Sequence, residues 1–162
     1  MVHRETREVP LYALVLAQAD RKPGAMLKPS SADCSPAAMA AHIAAGQAGK
    51  TLACGTLVNT TRIQFGGRTM SDFAGILSSI PFVGRGVVDR TGLTGNWQFE
   101  LTYTLAPDQV TPARSGQEPP RVDLDGPSFF TALQDQLGLK LESIRGPMEF
   151  LVVDGVETLR EQ

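Results

Sequence analysis

The sequence predicts an α+β fold of repeated helix–strand–turn–strand units, antiparallel hairpins each backed by one helix. Three observations carry this reading. Trp97-Gln98-Phe99-Glu100-Leu101-Thr102-Tyr103 alternates strictly between large apolar and polar side chains, the period of a half-buried strand. Phe73, Ile76, Leu77 and Ile80 recur at helical spacing and form one apolar face. Finally, the order helix, strand, turn, strand occurs at 69–104 and again at 127–155, while 1–17 looks like the strand pair of a partial third copy. Such units cannot bury their apolar faces alone, so the copies are expected to pack into a single domain over 1–162.

The elements follow in order. Val9 to Ala17 is apolar and β-prone, and the charged Arg4 to Glu8 stretch reads as a turn after a short strand. Asp20 to Ser31 is a loop punctuated by Pro23, Gly24 and Pro29. Ser35-Pro36 opens a helix through the Ala-rich Ala37 to Ala45, with a stop at Gly46. Thr56 to Phe65 is β-branched enough for one or two strands. Thr69 to Asp72 is a relaxed capping box, and Pro81 ends the helix it starts. Gly86 to Arg90 reads as a strand, joined to the Trp97 strand by the turn Thr91 to Gly95. Ala106 to Asp125, with Pro107, Pro112, Pro119 and Pro120, reads as a flexible loop. Gly126-Pro127-Ser128 opens a helix with Phe130, Leu133 and Leu137 on one face and Gly138 as its cap. Leu139 to Glu142 and Met148 to Val153 are then two strands around a turn at Arg145-Gly146-Pro147.

Composition narrows the function. In 162 residues, 42% are apolar and 20% charged, enough for a real core. Fifteen basic and seventeen acidic side chains give a net charge of -2, which argues against nucleic acid or an anionic membrane as partner. No apolar run approaches the ~20 residues that span a bilayer. The two cysteines, Cys34 and Cys54, allow one disulfide or two unrelated buried thiols; with His3 and His42 they lack the spacing of a metal site. No cofactor is expected.

Catalytic motifs are weak. Ala44 to Thr51 ends in Gly-Lys-Thr like a phosphate-binding loop, but Ala44 replaces its first glycine and a helix, not a strand, precedes it. No Gly-x-Ser-x-Gly elbow occurs, and neither histidine sits in a strained turn. Asp89, Glu100, Glu142 and Asp154 lie on or beside strands, where a solvated sheet face accounts for them. Asp89, Arg90 and Thr91 are the candidate binding residues: the segment is either a stiff connector or a polar loop presented to a partner. Trp97 reads as core.

Val87-Val88-Asp89-Arg90-Thr91-Gly92-Leu93-Thr94-Gly95-Asn96-Trp97-Gln98-Phe99 resembles the signature V-x-D-R-T-G-L-T-G-x-Y-D-F of a soil-associated bacterial family of unknown function, rich in paralogues in acidobacterial-type genomes. Gly126 to Glu142 and Arg145 to Asp154 are similar to its second signature, and His3 to Val15 followed by Leu27-Lys28-Pro29-Ser30 resembles its middle part. This chain departs from the pattern at Trp97-Gln98, where Tyr-Asp is usual. The resemblance implies the C-terminal part of a longer, exported protein. It thereby implies an extracytoplasmic location, periplasmic or secreted, and a Cys34–Cys54 disulfide. Some relatives are C-terminal modules on membrane metallopeptidases of the antibiotic-sensor type, which suits sensing or binding. The family carries no established activity, so it transfers no catalytic residue. By element order alone, the unit is also similar to the short N-terminal domain of secretins and TonB-dependent receptors.

The expected function is therefore a non-enzymatic module that binds a protein partner or an envelope or extracellular ligand. The alternatives are a carboxylate-dependent hydrolase and a homodimer or array built through exposed strand edges.

Overall fold

The computed structural model describes residues 2–44, 52–106, 109 and 125–155. The fold is α+β, with two sheets and a pair of helices enclosing one core. The first sheet rests on an uninterrupted antiparallel ladder between β1 (Val2–Leu16) and β7 (Leu139–Val153), paired from Val2↔Val153 to Leu16↔Leu139. Neither the hairpin expected in 1–17 nor the one expected in 139–153 forms; each segment is a single strand. Tyr12 N–H donates to Gly86 C=O rather than to β7, so even-numbered β1 residues turn their backbone groups away from β7. Pro10 is one of these, and Pro147, opposite Glu8, faces outward from the other strand. Each proline sits where its missing N–H costs the ladder nothing. That is why Arg145-Gly146-Pro147 continues the strand instead of turning it. Gly146 admits Leu11, whose Cδ1 would lie 2.9 Å from any Cβ placed there.

A third strand, β5 (Val87–Asp89), completes this sheet by pairing parallel with Tyr12–Leu14 of β1. The second sheet has the order β2 (Lys28–Pro29), β6 (Trp97–Thr102), β4 (Arg62–Arg68), β3 (Gly55–Val58), all antiparallel. The two strands expected as one hairpin, β5 and β6, thus lie in different sheets. The connector 90–96 does not fold back. It carries the chain from one sheet to the other, and the expected hairpin repeat is absent. Thr56 to Phe65 yields two strands, as β3 and β4.

Between the cysteines lies α1 (Pro36–Ala44); its expected stop at Gly46 and most of the expected loop 106–125 fall outside the described residues. In α2 (Met70–Ser79) the capping box forms: Thr69 Oγ1 accepts from Asp72 N–H, and the Asp72 carboxylate accepts from Thr69 N–H. Phe73, Leu77 and Ile80 are buried as the spacing predicts, joined by Met70 and Ala74. Ser128 caps α3 (Phe129–Ala132), which runs into a π-helical turn at Leu133–Leu137 and ends at Gly138 with φ 65°. Phe129, not the expected Phe130, enters the core: its ring packs 5.0 Å from both Phe82 and Tyr103, while Phe130 is 41% exposed. Both residues keep helical spacing to Leu133 and Leu137, so periodicity could not choose between them.

The two core helices each touch a strand of both sheets, α2 against β5 and β4, α3 with its π turn against β6 and β7. Phe65, Phe73 and Phe99, with centroids 4.8–5.4 Å apart, join α2 to the second sheet. Leu14, Val87 and Leu139 close the core from the first.

Tyr103 donates its hydroxyl to Asn59 C=O at 3.2 Å, and burial raises its pKa. The folded state therefore favours the neutral phenol. Its contribution is full below the unfolded value, about pH 10, and is lost as pH rises from there toward the folded value. Tyr103→Phe is expected to cost about 1 kcal/mol at neutral pH and to flatten the loss of stability above about pH 10. Denaturant unfolding of both proteins across that range checks this; equal alkaline losses would contradict it.

Candidate functional site

The connector after β5 is organised by its own side chains. Asp89 Oδ1 accepts from Thr91 N–H at 2.9 Å and from Thr91 Oγ1 at 2.7 Å, and Thr91 Oγ1 accepts in turn from Leu93 N–H at 3.1 Å. Arg90 N–H donates to Leu14 C=O, extending the parallel pairing by one residue, and Trp97 Nε1 donates to Thr94 C=O. Thr91 and Trp97 are buried; Arg90 is exposed and has no ion-pair partner among the described residues. Of the three candidate residues, Asp89 and Thr91 are therefore brought together and bind one another, and Arg90 is the one presented to solvent.

The other carboxylates do not converge. Asp89 pairs with Leu14 and Glu142 with Ala13, consecutive β1 residues, so the two acids lie on opposite faces of the first sheet. Glu100, in the second sheet, accepts from Gln64 Nε2 at 3.0 Å. Asp154 lies 3.0 Å from His3 Nδ1. No group of three or more potential metal ligands occurs among the described residues.

Cys34 and Cys54 form a disulfide with Cα atoms 5.6 Å apart. It lies against the bulge in β4 at Gly66-Gly67. A Cβ on Gly67, whose φ is +62°, would run into Cys34 Sγ, and one on Gly66 into the backbone of Leu52 and Ala53. The glycine pair thus lets the cross-linked segments lie flat on the strand. No helix among the described residues is long and apolar enough to cross a membrane.

The most unusual surface was not anticipated. Beyond β5, the outer half of the β1–β7 ladder, Val2–Val9 against Gly146–Val153, continues as a two-stranded ribbon roughly 25 Å long at about 3.4 Å per residue. Both faces are largely exposed. Polar groups clasp it: Arg4 to Glu149 at 3.0 Å, Arg7 to Glu5 at 2.6 Å, and the Arg7 guanidinium 6.0 Å from the centre of the Phe150 ring. The Arg7 contact holds the Glu5 carboxyl below its usual pKa. Val2, Phe150, Leu151 and Val153 are exposed beside them, Leu151 by 68%. By the register, the N–H groups of Val2, Arg4, Thr6 and Glu8 face outward along one edge and those of Glu149, Leu151 and Val153 along the other.

A family model described as "Protein of unknown function (DUF3738)" matches residues 1–156. The chain belongs to this family. No curated protein and no solved structure matches it. In this DUF3738 chain the connector is an internal brace, and the ribbon is an open surface among the described residues.

Two outcomes follow. Replacing both cysteines by serine should lower stability by about 3 kcal/mol in the chain-entropy account of a loop this size, and reduction of the native chain should do the same in denaturant unfolding. Thr91→Val should cost roughly 1–3 kcal/mol, because it strands Leu93 N–H and takes a donor from Asp89, whereas Arg90→Ala should stay within about 0.5 kcal/mol. Equal losses in that pair of thermal melts would contradict the assignment of Thr91 as brace and Arg90 as surface.

Proposed function

We propose that this chain is an extracytoplasmic, non-catalytic binding module that engages a protein partner by strand addition to its ribbon. The observation that carries the reading is a pair of backbone edges, open among the described residues, on a two-stranded ribbon standing clear of the core. Two strands alone are marginally stable in water, and open edges are ready templates for another strand. An exposed strip of Val2, Leu151 and Val153 beside those edges would add side-chain specificity to main-chain pairing. The disulfide is compatible with an oxidising compartment. The resemblance to the soil-associated family supports export and a longer parent protein, of which this would be the C-terminal part.

The test places a photo-cross-linking amino acid at Arg4 or Leu151 on the ribbon, or at the exposed Ser79 on α2, in the native cells. Adducts confined to the ribbon positions and recovered with the envelope or medium are expected. Adducts from Ser79 alone, none from the ribbon, or recovery with the cytosol would contradict the reading.

A further inference from the structure

We propose that the β1 edge of the ribbon is closed by β1 of a second copy, antiparallel and centred on Thr6, so that one sheet runs through both molecules. The inference rests on the reading above, that the ribbon works by strand addition, and names the occupant of one edge.

The backbone limits the choices. Only even-numbered β1 residues point their N–H and C=O outward, so a symmetric partner must set even against even. The candidate centres are then whole residues, and charge decides among them. Centred on Thr6, Arg4 faces the partner's Glu8 and Glu5 faces the partner's Arg7, each twice by symmetry, with Thr6 against Thr6. Every charge in the segment Arg4-Glu5-Thr6-Arg7-Glu8 meets its opposite. Moving the centre to Glu5 sets Glu5 against Glu5 and His3 against Arg7. Moving it to Arg7 sets Arg7 against Arg7, and also brings the partner's Val2 beside Tyr12, whose N–H is already given to Gly86. Directly opposed like charges destabilise a strand pair. The Thr6 register is thus the longest that β5 leaves open and the one in which the charges agree.

In this register the outward groups of Arg4, Thr6 and Glu8 find partners in Glu8, Thr6 and Arg4 of the other copy. Pro10 stands opposite the partner's Val2, where it still offers its carbonyl. The charges also explain how an open edge remains selective: a strand of other sequence or register meets mismatched charge. The arrangement is isologous and closes at two copies, leaving both β7 edges outermost.

The test is light scattering of the whole chain over a concentration series, with four variants. The native chain should show a mass twice its 17.3 kDa, weakening with added salt. Arg7→Glu sets Glu5 against the new acid and should raise the dimer dissociation constant by about tenfold or more. The double variant Glu5→Arg/Arg7→Glu should restore it, and Thr6→Cys should cross-link two copies on mild oxidation. A chain that stays monomeric overturns this inference alone; the ribbon reading then stands or falls on the photo-cross-links to other proteins. A dimer indifferent to the charge variants, or one cross-linked through Leu151→Cys and not Thr6→Cys, would assign the interface to the β7 edge and overturn the β1 pairing.

Discussion

The ladder between β1 and β7 is the constraint on which everything else depends. Among the described residues every other element lies between these two strands in sequence, so their pairing ties the two ends of the fold together. Its inner half supplies Leu14 and Leu139 to the core and provides the edge on which β5 docks. Through β5 the ladder positions the connector, whose bonds from Asp89 and Thr91 deliver Trp97 to the start of β6. Its outer half has no core to serve and becomes the ribbon. One structural device thus makes both the scaffold and its open surface.

Local structure was legible where the physics is local. The capping box at Thr69 and Asp72, the face of α2, the alternation of β6, the helix between the cysteines and the glycine cap at Gly138 all depend on neighbours in sequence. Pairing does not. Alternation tells which side of a strand is buried but is silent about its partner, so β5 and β6 read as a hairpin although they belong to separate sheets. Pro147 is punctuation in most contexts. Here its outward position in the β7 edge, set by the register with β1, removes its power to break the strand.

The functional surface was legible in fragments. Asp89, Arg90 and Thr91 stood out as a polar cluster, and the structure divides them: Asp89 and Thr91 satisfy each other, and only Arg90 is offered outward. The disulfide could not be derived from two cysteines alone, because no spacing distinguishes a cross-link from two buried thiols. The ribbon was missed because the alternating charges of Arg4 to Glu8 look like a turn or a solvated strand alike. What makes them a surface is that no element among the described residues covers them, a tertiary property. The same alternation, read against the outward backbone groups, carries the most specific information in the segment.

Residue-resolved hydrogen exchange of the β1 amides tests the central claim most directly. A ladder continuous from core to tip predicts protection at the odd-numbered residues Glu5, Arg7, Val9, Leu11 and Ala13, whose amides face β7, falling gradually toward His3. If Glu5, Arg7 and Val9 exchanged as fast as an unstructured chain while Leu11 and Ala13 stayed protected, the ladder would end at the core. The ribbon, and every role assigned to it, would then be wrong.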